Sequence, residues 1–220
     1  MRKISFILLL ILFFPNASII RAKESRKNLG ILVDITEEML YLIDEDKNTI
    51  IKKYPVASGK SETPSPIGTW KVVSMASWSG GFGTRWIGLN VPWGKFGIHG
   101  TNKPHSIGGQ ASHGCIRMLN SDVEDLYNYV YYGMIVAVYG GPYGSFGKGL
   151  RTLTPGVRGA DVYEIQRRLK DAGYYCGSMD GIYGESMKKC VMKFRRDNKL
   201  PESHDVDKNF YKKLRIILMD

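Results

Sequence analysis

Apolar and polar residues alternate over short segments in the first two-thirds of the chain, and this period of two predicts strands. The predicted strands cover residues 31–35, 39–43, 49–57, 68–75, 86–91 and 134–139. Polar turns separate the first of them, and a Gly-rich loop at 79–83 separates two of the later ones. One helix is expected here, because Ser121 and Glu124 form a capping box ahead of an apolar stripe. The pattern predicts a mainly β domain over residues 30–139.

The last third of the chain changes to helical spacing, with apolar residues recurring three and four positions apart. The three predicted helix faces consist of Val162, Ile165 and Leu169, then Met187, Cys190, Val191 and Phe194, then Phe210, Leu214, Ile217 and Leu218. Residues 140–149 contain five glycines and one proline, which is typical of a flexible linker, and we place this linker at 140–153. The sequence therefore predicts a small three-helix bundle over residues 154–220.

The N-terminus indicates export. A basic start, Arg2-Lys3, precedes an unbroken apolar run over residues 4–14, as in a secretion signal. The run is shorter than the ~20 apolar residues that span a bilayer as a helix. A cleaved signal peptide over residues 1–22 and an uncleaved N-terminal anchor both fit. With either one, the folded part is expected outside the cytoplasm.

The charge of the chain points to a polyanionic partner. There are 31 Lys and Arg residues against 21 Asp and Glu residues, which gives a net charge of +10. Such a surface attracts nucleic acid, anionic membranes or anionic cell-wall polymers. The sequence contains no nucleic-acid-binding motif, so nucleic acid is not expected. A solvated basic surface without a dedicated partner fits the charge as well.

Candidate chemistry concentrates between His99-Gly100 and Ser112-His113-Gly114-Cys115. A thiol is a weak nucleophile until a neighbouring imidazole takes its proton and stores the thiolate as an ion pair. Backbone N–H groups at 113–115 are candidates for an oxyanion hole. Two plainer interpretations are a set of structural histidines and a zinc site, but zinc sites usually show paired ligands such as C-x₂-C, and none occurs here.

Two further cysteines, Cys176 and Cys190, lie in the predicted helical bundle. The total of three cysteines leaves at least one thiol unpaired within the chain. In an oxidising compartment the pair is able to form a disulfide. A buried Cys190 and an unrelated Cys176 explain the pattern equally well, so the sequence leaves both alternatives open.

The motif from His99 to Ser112-His113-Gly114-Cys115 resembles the signature of the L,D-transpeptidase catalytic domain. The resemblance covers about residues 29–139 and includes the turn Thr63-Pro64-Ser65-Pro66-Ile67-Gly68. It implies a mainly β, sandwich-like domain with one or two short helices. Residues 157–169 and 180–184 are similar to a small three-helix peptidoglycan-binding domain.

The resemblance implies roles for individual residues. Cys115 is the nucleophile and His99 the general base, and the Gly100 carbonyl orients His99. His113 and Gly114 contribute to the oxyanion site, with contact to substrate an alternative for His113.

Further residues are expected on the substrate side. Ser112 is expected to contact substrate, and Arg117 either pairs with a substrate carboxylate or braces the loop. Trp78 belongs to an aromatic group around the Gly-rich loop with Phe82, Trp86 and Trp93. This group is either a lid on the substrate groove or ordinary core packing. His105 matches no motif position and is interpreted as a solvated loop residue.

The implied function is the 3→3 cross-linking of peptidoglycan through a Cys115 thioester with release of D-Ala, without metal or organic cofactor. The implied partners are peptidoglycan stem peptides and glycan, and the basic surface adds anionic wall polymers. If water accepts the acyl group, the enzyme is an L,D-carboxypeptidase. A sortase-like transpeptidase is a rival, but its Arg usually lies on a later strand rather than two residues after the Cys, as Arg117 does. A non-catalytic wall-binding protein is the rival from another class.

Overall fold

The computed structural model describes residues 28–77 and 80–217. The described part of the N-terminal region, here called the β domain, contains the strands β1 (Leu29–Asp34), β2 (Met39–Asp44), β3 (Thr49–Pro55), β4 (Ser58–Gly59), β5 (Gly68–Ser77), β6 (Arg85–Leu89), β7 (Phe96–Gly100), β8 (Gln110–Ser112), β9 (Ile116–Met118) and β10 (Ile135–Tyr139). Helix α1 (Asn120–Tyr127) lies between β9 and β10. The C-terminal region, the helical module, contains α2 (Ala160–Asp171), α3 (Glu185–Asp197) and α4 (Lys208–Lys213). The predicted fold class, a mainly β domain followed by a three-helix domain, is confirmed.

Eight of these strands form one sheet in the order β3-β2-β1-β10-β5-β6-β7-β9, and β4 pairs with β8 separately. The last strand in the chain, β10, lies parallel to β1 near the centre of the sheet. At one edge, β9 lies parallel to β7. Burial alternates along β2, where Leu40 and Leu42 lie in the core, as the period of two predicted.

Strands β4, β7, β8 and β9 were not predicted. They are two to five residues long, and a period of two is not recognisable over so few positions. Strand β7 also contains Gly97 and Gly100, which have low strand propensity. Pairing with longer neighbours, rather than local preference, makes these segments strands, and two of them carry the candidate site.

The predicted capping box of helix α1 is wrong. The N-cap is Leu119, and no side chain caps this helix end. The Ser121 hydroxyl instead donates to Asp122 at 3.3 Å. The helix begins two residues earlier than a Ser121 cap requires, and its buried residues Val123 and Leu126 fix it on the core. Packing of the apolar face therefore decides where this helix begins.

The helical module has its own core, to which all three helices contribute. The third predicted face is partly wrong, because α4 ends at Lys213 and Arg215 adopts the left-handed conformation with φ 58°. This turn buries Ile216 and leaves Ile217 74% exposed. Leu218 lies outside the described residues.

The segment predicted as a flexible linker is bonded to the helical module. Phe146 packs edge-on against Tyr211 at 5.9 Å between ring centroids. The Tyr211 hydroxyl donates to the backbone carbonyl of Arg151 at 2.8 Å, and Arg151 pairs with Asp161 at 2.6 Å. Leu153 lies in the module core. The glycines permit the turns of this segment, but its aromatic and apolar residues attach it to the module.

The helical module docks on the β domain through an aromatic contact. Tyr163 of α2 lies 6.0 Å from Trp93 and 6.4 Å from Trp70, measured between ring centroids. Ile182 and Ala160 pack on the same core. The backbone of Gly181 has φ 65°, and a Cβ at this position would stand 2.3 Å from the Trp93 indole and overlap it. The buried side chain of Gln166 holds this loop by accepting from the Gly181 N–H at 2.8 Å.

The Gly181→Ala variant is expected to lower the free energy of unfolding by about 1–3 kcal/mol, because the new methyl group overlaps a rigid ring and the backbone is left-handed. Thermal unfolding followed by calorimetry measures the loss. Gly184→Ala is the matched control, since a Cβ there has open space and φ is −92°. Equal stability of the two variants would contradict the docked arrangement.

The predictions for the export segment, for Trp78 and for the cysteines have different outcomes. The export segment at 1–22 lies outside the described residues, and so does Trp78. Among the helices of the described residues, none is long and apolar enough to cross a membrane. All three cysteines are described and are free thiols, so the structure contains no disulfide between Cys176 and Cys190.

Candidate active site

Strands β7 and β9 bring the two halves of the motif side by side. Their parallel register pairs His99 with Arg117. Cys115 immediately precedes β9, and the backbone of Gly97 is within hydrogen-bonding reach of its thiol. Because paired residues of neighbouring strands project on the same face of a sheet, His99 and Arg117 lie on one face. The register thus places an imidazole and a guanidinium side by side at the sheet edge, and the thiol of Cys115 belongs to the bend that leads into β9.

His99 is held in a defined orientation. Its side chain is only 3% exposed, and Nδ1 lies 2.5 Å from the carbonyl oxygen of Gly100. A carbonyl oxygen can only accept, so Nδ1 carries the proton and donates it. Nε2 is then the ring nitrogen that can take a further proton. The structure therefore places the Gly100 carbonyl where the resemblance expects it.

Two aromatic side chains enclose the imidazole. Phe82 meets His99 edge-on at 4.9 Å, and Trp86 stacks on it at 5.9 Å with 24° between the planes. The Trp86 ring also covers Gly97, where a Cβ would stand 2.7 Å from the indole. Phe82 is half exposed, so it covers the imidazole from the solvent side. Trp93 is buried in the core under the helical module, so it does not belong to this enclosure.

Cys115 lies half-buried at the end of a turn that requires glycine. Gly114 has φ 108°, and a Cβ there would stand 2.6 Å from the Phe96 ring and 3.1 Å from the Pro64 carbonyl oxygen. The Cys115 sulfur is 4.0 Å from the carbonyl oxygen of Lys95. Lys95 and Phe96 were not predicted to belong to the site. The only indication in the sequence that this segment belongs to the site was the pair of aromatic residues, Trp93 and Phe96, on either side of Gly94.

Ser112 braces this turn. It is 1% exposed, and its hydroxyl donates to the Cys115 carbonyl oxygen at 2.6 Å while accepting from the Gly114 N–H at 2.9 Å. The hydroxyl uses its donor and one of its two acceptor sites inside the turn, and the expected substrate contact of Ser112 stays a prediction. The bond to the Ser112 hydroxyl occupies the Gly114 N–H. An oxyanion site consequently depends on the N–H groups of His113 and Cys115.

His113 and Arg117 face a groove beside the turn. His113 is exposed and Arg117 is half-buried, and both line the groove together with His105. His105 is therefore part of a surface that reaches the candidate site, although it is solvated as expected. Among the described residues, no group of three or more His, Cys, Asp or Glu side chains is arranged to hold a metal ion.

Burial favours the neutral forms of both reacting groups. Burial raises the pKa of the Cys115 thiol, against smaller effects from the Gly97 backbone and the Arg117 charge, which lower it. Burial also lowers the pKa of the His99 imidazole, and Arg117 acts in the same direction, while hydrogen bonds to the backbone of Gly100 and Phe82 oppose it. Desolvation therefore disfavours the charged form of each group, and the thiolate–imidazolium pair stays a prediction.

This electrostatic arrangement predicts the pH dependence of thiol reactivity. The midpoint for alkylation of Cys115 by iodoacetamide is expected above the ordinary range of a thiol, because its pKa is raised. Arg117→Gln removes a charge that lowers this pKa, so the midpoint should rise further. Mass spectrometry of the peptide that contains Cys115, over a pH series, measures both midpoints.

Lys53→Gln is the control, since Lys53 is exposed on β3, outside the candidate site. A lower midpoint in Arg117→Gln than in the unmodified protein would show that Arg117 does not act on the sulfur.

Comparison with known proteins assigns both regions. The model of the L,D-transpeptidase catalytic domain (YkuD) matches residues 29–138. The chain belongs to the L,D-transpeptidase family. A second family model, described as "Putative peptidoglycan binding domain", matches residues 158–214. The resemblance seen in the sequence is confirmed for both regions.

Relatives of this L,D-transpeptidase family member occur in Bacillus. The chain is 40% identical over 109 residues to the "Putative L,D-transpeptidase YkuD" of Bacillus licheniformis, and the match covers 49% of this chain and 64% of the relative. It is 42% identical over 92 residues to the protein of the same name in Bacillus subtilis, covering 41% and 55%. The "Putative L,D-transpeptidase YqjB" of Bacillus subtilis is 34% identical over 119 residues, with 47% and 66% covered. The chain thus matches less than two-thirds of the length of each.

Solved structures of the same family were also found. The NMR structure of the catalytic domain of the E. faecium L,D-transpeptidase is 24% identical, with a TM-score of 0.44, and the match covers 51% of this chain and 98% of that one. The L,D-transpeptidase of Stackebrandtia nassauensis is 26% identical, with a TM-score of 0.43 and coverages of 57% and 62%.

Proposed function

We propose that this protein is an exported L,D-transpeptidase that forms 3→3 cross-links in peptidoglycan through a thioester on Cys115. The observation that supports the proposal is the β7–β9 register, which pairs His99, oriented by the Gly100 carbonyl, with Arg117, two residues after Cys115. Membership of the L,D-transpeptidase family supports the reaction class. The peptidoglycan-binding match supports the polymer on which it acts.

In the first half-reaction, the Cys115 sulfur attacks the carbonyl carbon of the third residue of a tetrapeptide stem while the thiol proton passes to Nε2 of His99. N–H groups of the turn before β9 stabilise the tetrahedral oxyanion. Collapse breaks the peptide bond to the terminal D-Ala, whose amine leaves with the proton from His99. The product is a thioester on Cys115, and no oxidation or reduction occurs.

In the second half-reaction, the side-chain amine of a second stem attacks the thioester carbonyl. His99 takes a proton from this amine, and the sulfur leaves and is reprotonated. The new amide joins two third residues, and the enzyme is regenerated without nucleotide or metal. If water replaces the amine, the same thioester gives a free carboxylate, which is L,D-carboxypeptidase activity.

The helical module and the basic surface of the protein are the features that we expect to hold the enzyme at the cell wall. We propose that the module holds the enzyme on peptidoglycan, outside the cytoplasm, with residues 1–22 acting as the export signal or anchor. The net charge of +10 adds attraction to anionic wall polymers. Domain boundaries at 29–139 and 154–220 belong to the same proposal.

A defined tetrapeptide stem tests the reaction. Incubation with the purified full chain is expected to give a dimer whose mass is that of two stems less one D-Ala, together with free D-Ala. Tandem mass spectrometry places the new bond between the two third residues. Release of D-Ala without any dimer would support carboxypeptidase activity instead, and neither product would leave only a wall-binding protein.

A further inference from the structure

The Asn120 side chain lies where three segments of the candidate site meet. Asn120 is the half-buried first residue of α1 and follows β9, so it belongs to the same stretch of chain as Cys115. The second segment is the end of β7 at Gly100, whose carbonyl orients the imidazole of His99. The third is the Gly-rich loop, in which Phe82 meets the same imidazole edge-on.

The amide oxygen of Asn120 fills the space between two glycines. The Thr84 N–H donates to Asn120 Oδ1 at 3.3 Å. Gly83 has φ 65°, and a Cβ on either Gly83 or Gly100 would overlap this same oxygen. A Cβ on Gly100 would also stand 3.1 Å from the Thr84 nitrogen and 3.2 Å from the Gly83 Cα. The Gly-rich loop and the end of β7 are therefore packed backbone against backbone, and Asn120 Oδ1 lies against both.

Both backbone groups that hydrogen-bond to the imidazole belong to these two segments. Nδ1 of His99 donates to the Gly100 carbonyl, and the backbone of Phe82 is a second hydrogen-bond partner of the ring. Phe82 is the neighbour of Gly83, against which Asn120 Oδ1 lies. The direction of Nε2, the nitrogen that takes the thiol proton in the proposed reaction, therefore depends on how these two segments are held together.

Helix capping does not explain this side chain. Asn is common at helix N-termini because its oxygen accepts from an N–H of the first turn. Here the N-cap is Leu119, and the Asn120 oxygen accepts from Thr84, which lies outside the helix. The hydrogen bond therefore joins α1 to the Gly-rich loop.

We propose that Asn120 is a positioning residue for the general base, and this rests on the proposed function. Its amide oxygen holds the Gly-rich loop against the end of β7, so that the imidazole of His99 keeps Nε2 available to the thiol of Cys115. An amide oxygen suits this role, because it accepts a hydrogen bond without placing a charge beside the imidazole.

The Asn120→Ala variant of the full chain tests this role through the rate at which a carbapenem acylates Cys115. At neutral pH the rate should be about 10–100-fold below that of the wild-type protein, because small misplacements of a catalytic group have effects of this size. The loss should shrink as pH rises, since hydroxide then removes the thiol proton without help from the imidazole. Asn128→Ala is the matched control and should keep the wild-type rate, because Asn128 is exposed at the other end of α1.

A double-mutant cycle with His99→Gln separates positioning from a general structural defect. If Asn120 acts through the imidazole, adding Asn120→Ala to His99→Gln should cause no further loss of rate. Losses that multiply in the double variant, or a folded Asn120→Ala protein with the wild-type rate, would overturn the proposal.

If thermal unfolding shows that Asn120→Ala is not folded, Asn120→Ser takes its place in the same cycle with the same expected results. Serine is compatible with a helix N-terminus, and its hydroxyl is one bond shorter than the Asn side chain. Failure of the proposed function is distinguishable, since the wild-type protein is then not acylated before any variant is compared.

Discussion

Cys115→Ala should abolish cross-linking, with at least about a 10⁴-fold loss of turnover, because the thioester requires the sulfur. The fold should be retained, since a half-buried thiol at the end of a turn is replaced by a smaller side chain. The sharpest measurement is intact-mass spectrometry after incubation with a carbapenem, the inhibitor class that the family implies. The wild-type protein should gain the mass of one inhibitor, because the strained ring of the carbapenem opens on the sulfur. The Cys115→Ala variant should gain none.

The other two thiols supply matched controls. Cys176 is exposed and Cys190 is half-buried, and both lie in the helical module. Cys176→Ala and Cys190→Ala should acquire the inhibitor at the rate of the unmodified protein. Equal labelling of Cys115→Ala, or an unlabelled starting protein, would remove Cys115 from the role of nucleophile.

His99→Gln should slow acylation of Cys115 by about 10²–10⁴-fold, the usual contribution of a general base. The loss should be greatest at neutral pH, because burial keeps the thiol protonated there. As pH rises through the raised thiol pKa, hydroxide removes the proton and the variant should recover part of its rate. A side chain with a purely structural role would not produce this recovery, so the pH profile of acylation separates the two roles.

His204→Gln serves as the control for this series, because His204 is an exposed histidine of the helical module. Its acylation rate should equal that of the unmodified protein at every pH. Thermal unfolding of His99→Gln checks that the Phe82 and Trp86 enclosure survives. A folded His99→Gln protein with the full acylation rate at neutral pH would exclude His99 as the base.

Aromatic side-chain contacts connect the helical module to the candidate site. Tyr163 packs on Trp93, and Trp93 lies 6.4 Å from Phe96 between ring centroids. Phe96 in turn covers Gly114, the residue before Cys115. The turn that carries the thiol is thus supported from the far side by the same aromatic group that fixes the module.

The sequence determined the elements whose information is local. The strand β2 and the apolar face of α2 are predictable from the sequence, because their periods of two and 3.6 residues extend over enough positions to be recognised. The motif from His99 to Cys115 likewise identified the family, since it depends on residue types at fixed spacing. The Gly100 carbonyl beside His99 followed from the same motif.

Only the tertiary structure decided which groups surround the reacting atoms. Strands β7 and β9 exist because they pair, so the alignment of His99 with Arg117, two residues after Cys115, is not visible in a one-dimensional pattern. The inward hydrogen bonds of Ser112 and the desolvation of the thiol arise from burial, which brings together segments distant in the chain. Residue type fixes what a side chain can do, whereas its pKa and its partners depend on neighbours that folding supplies.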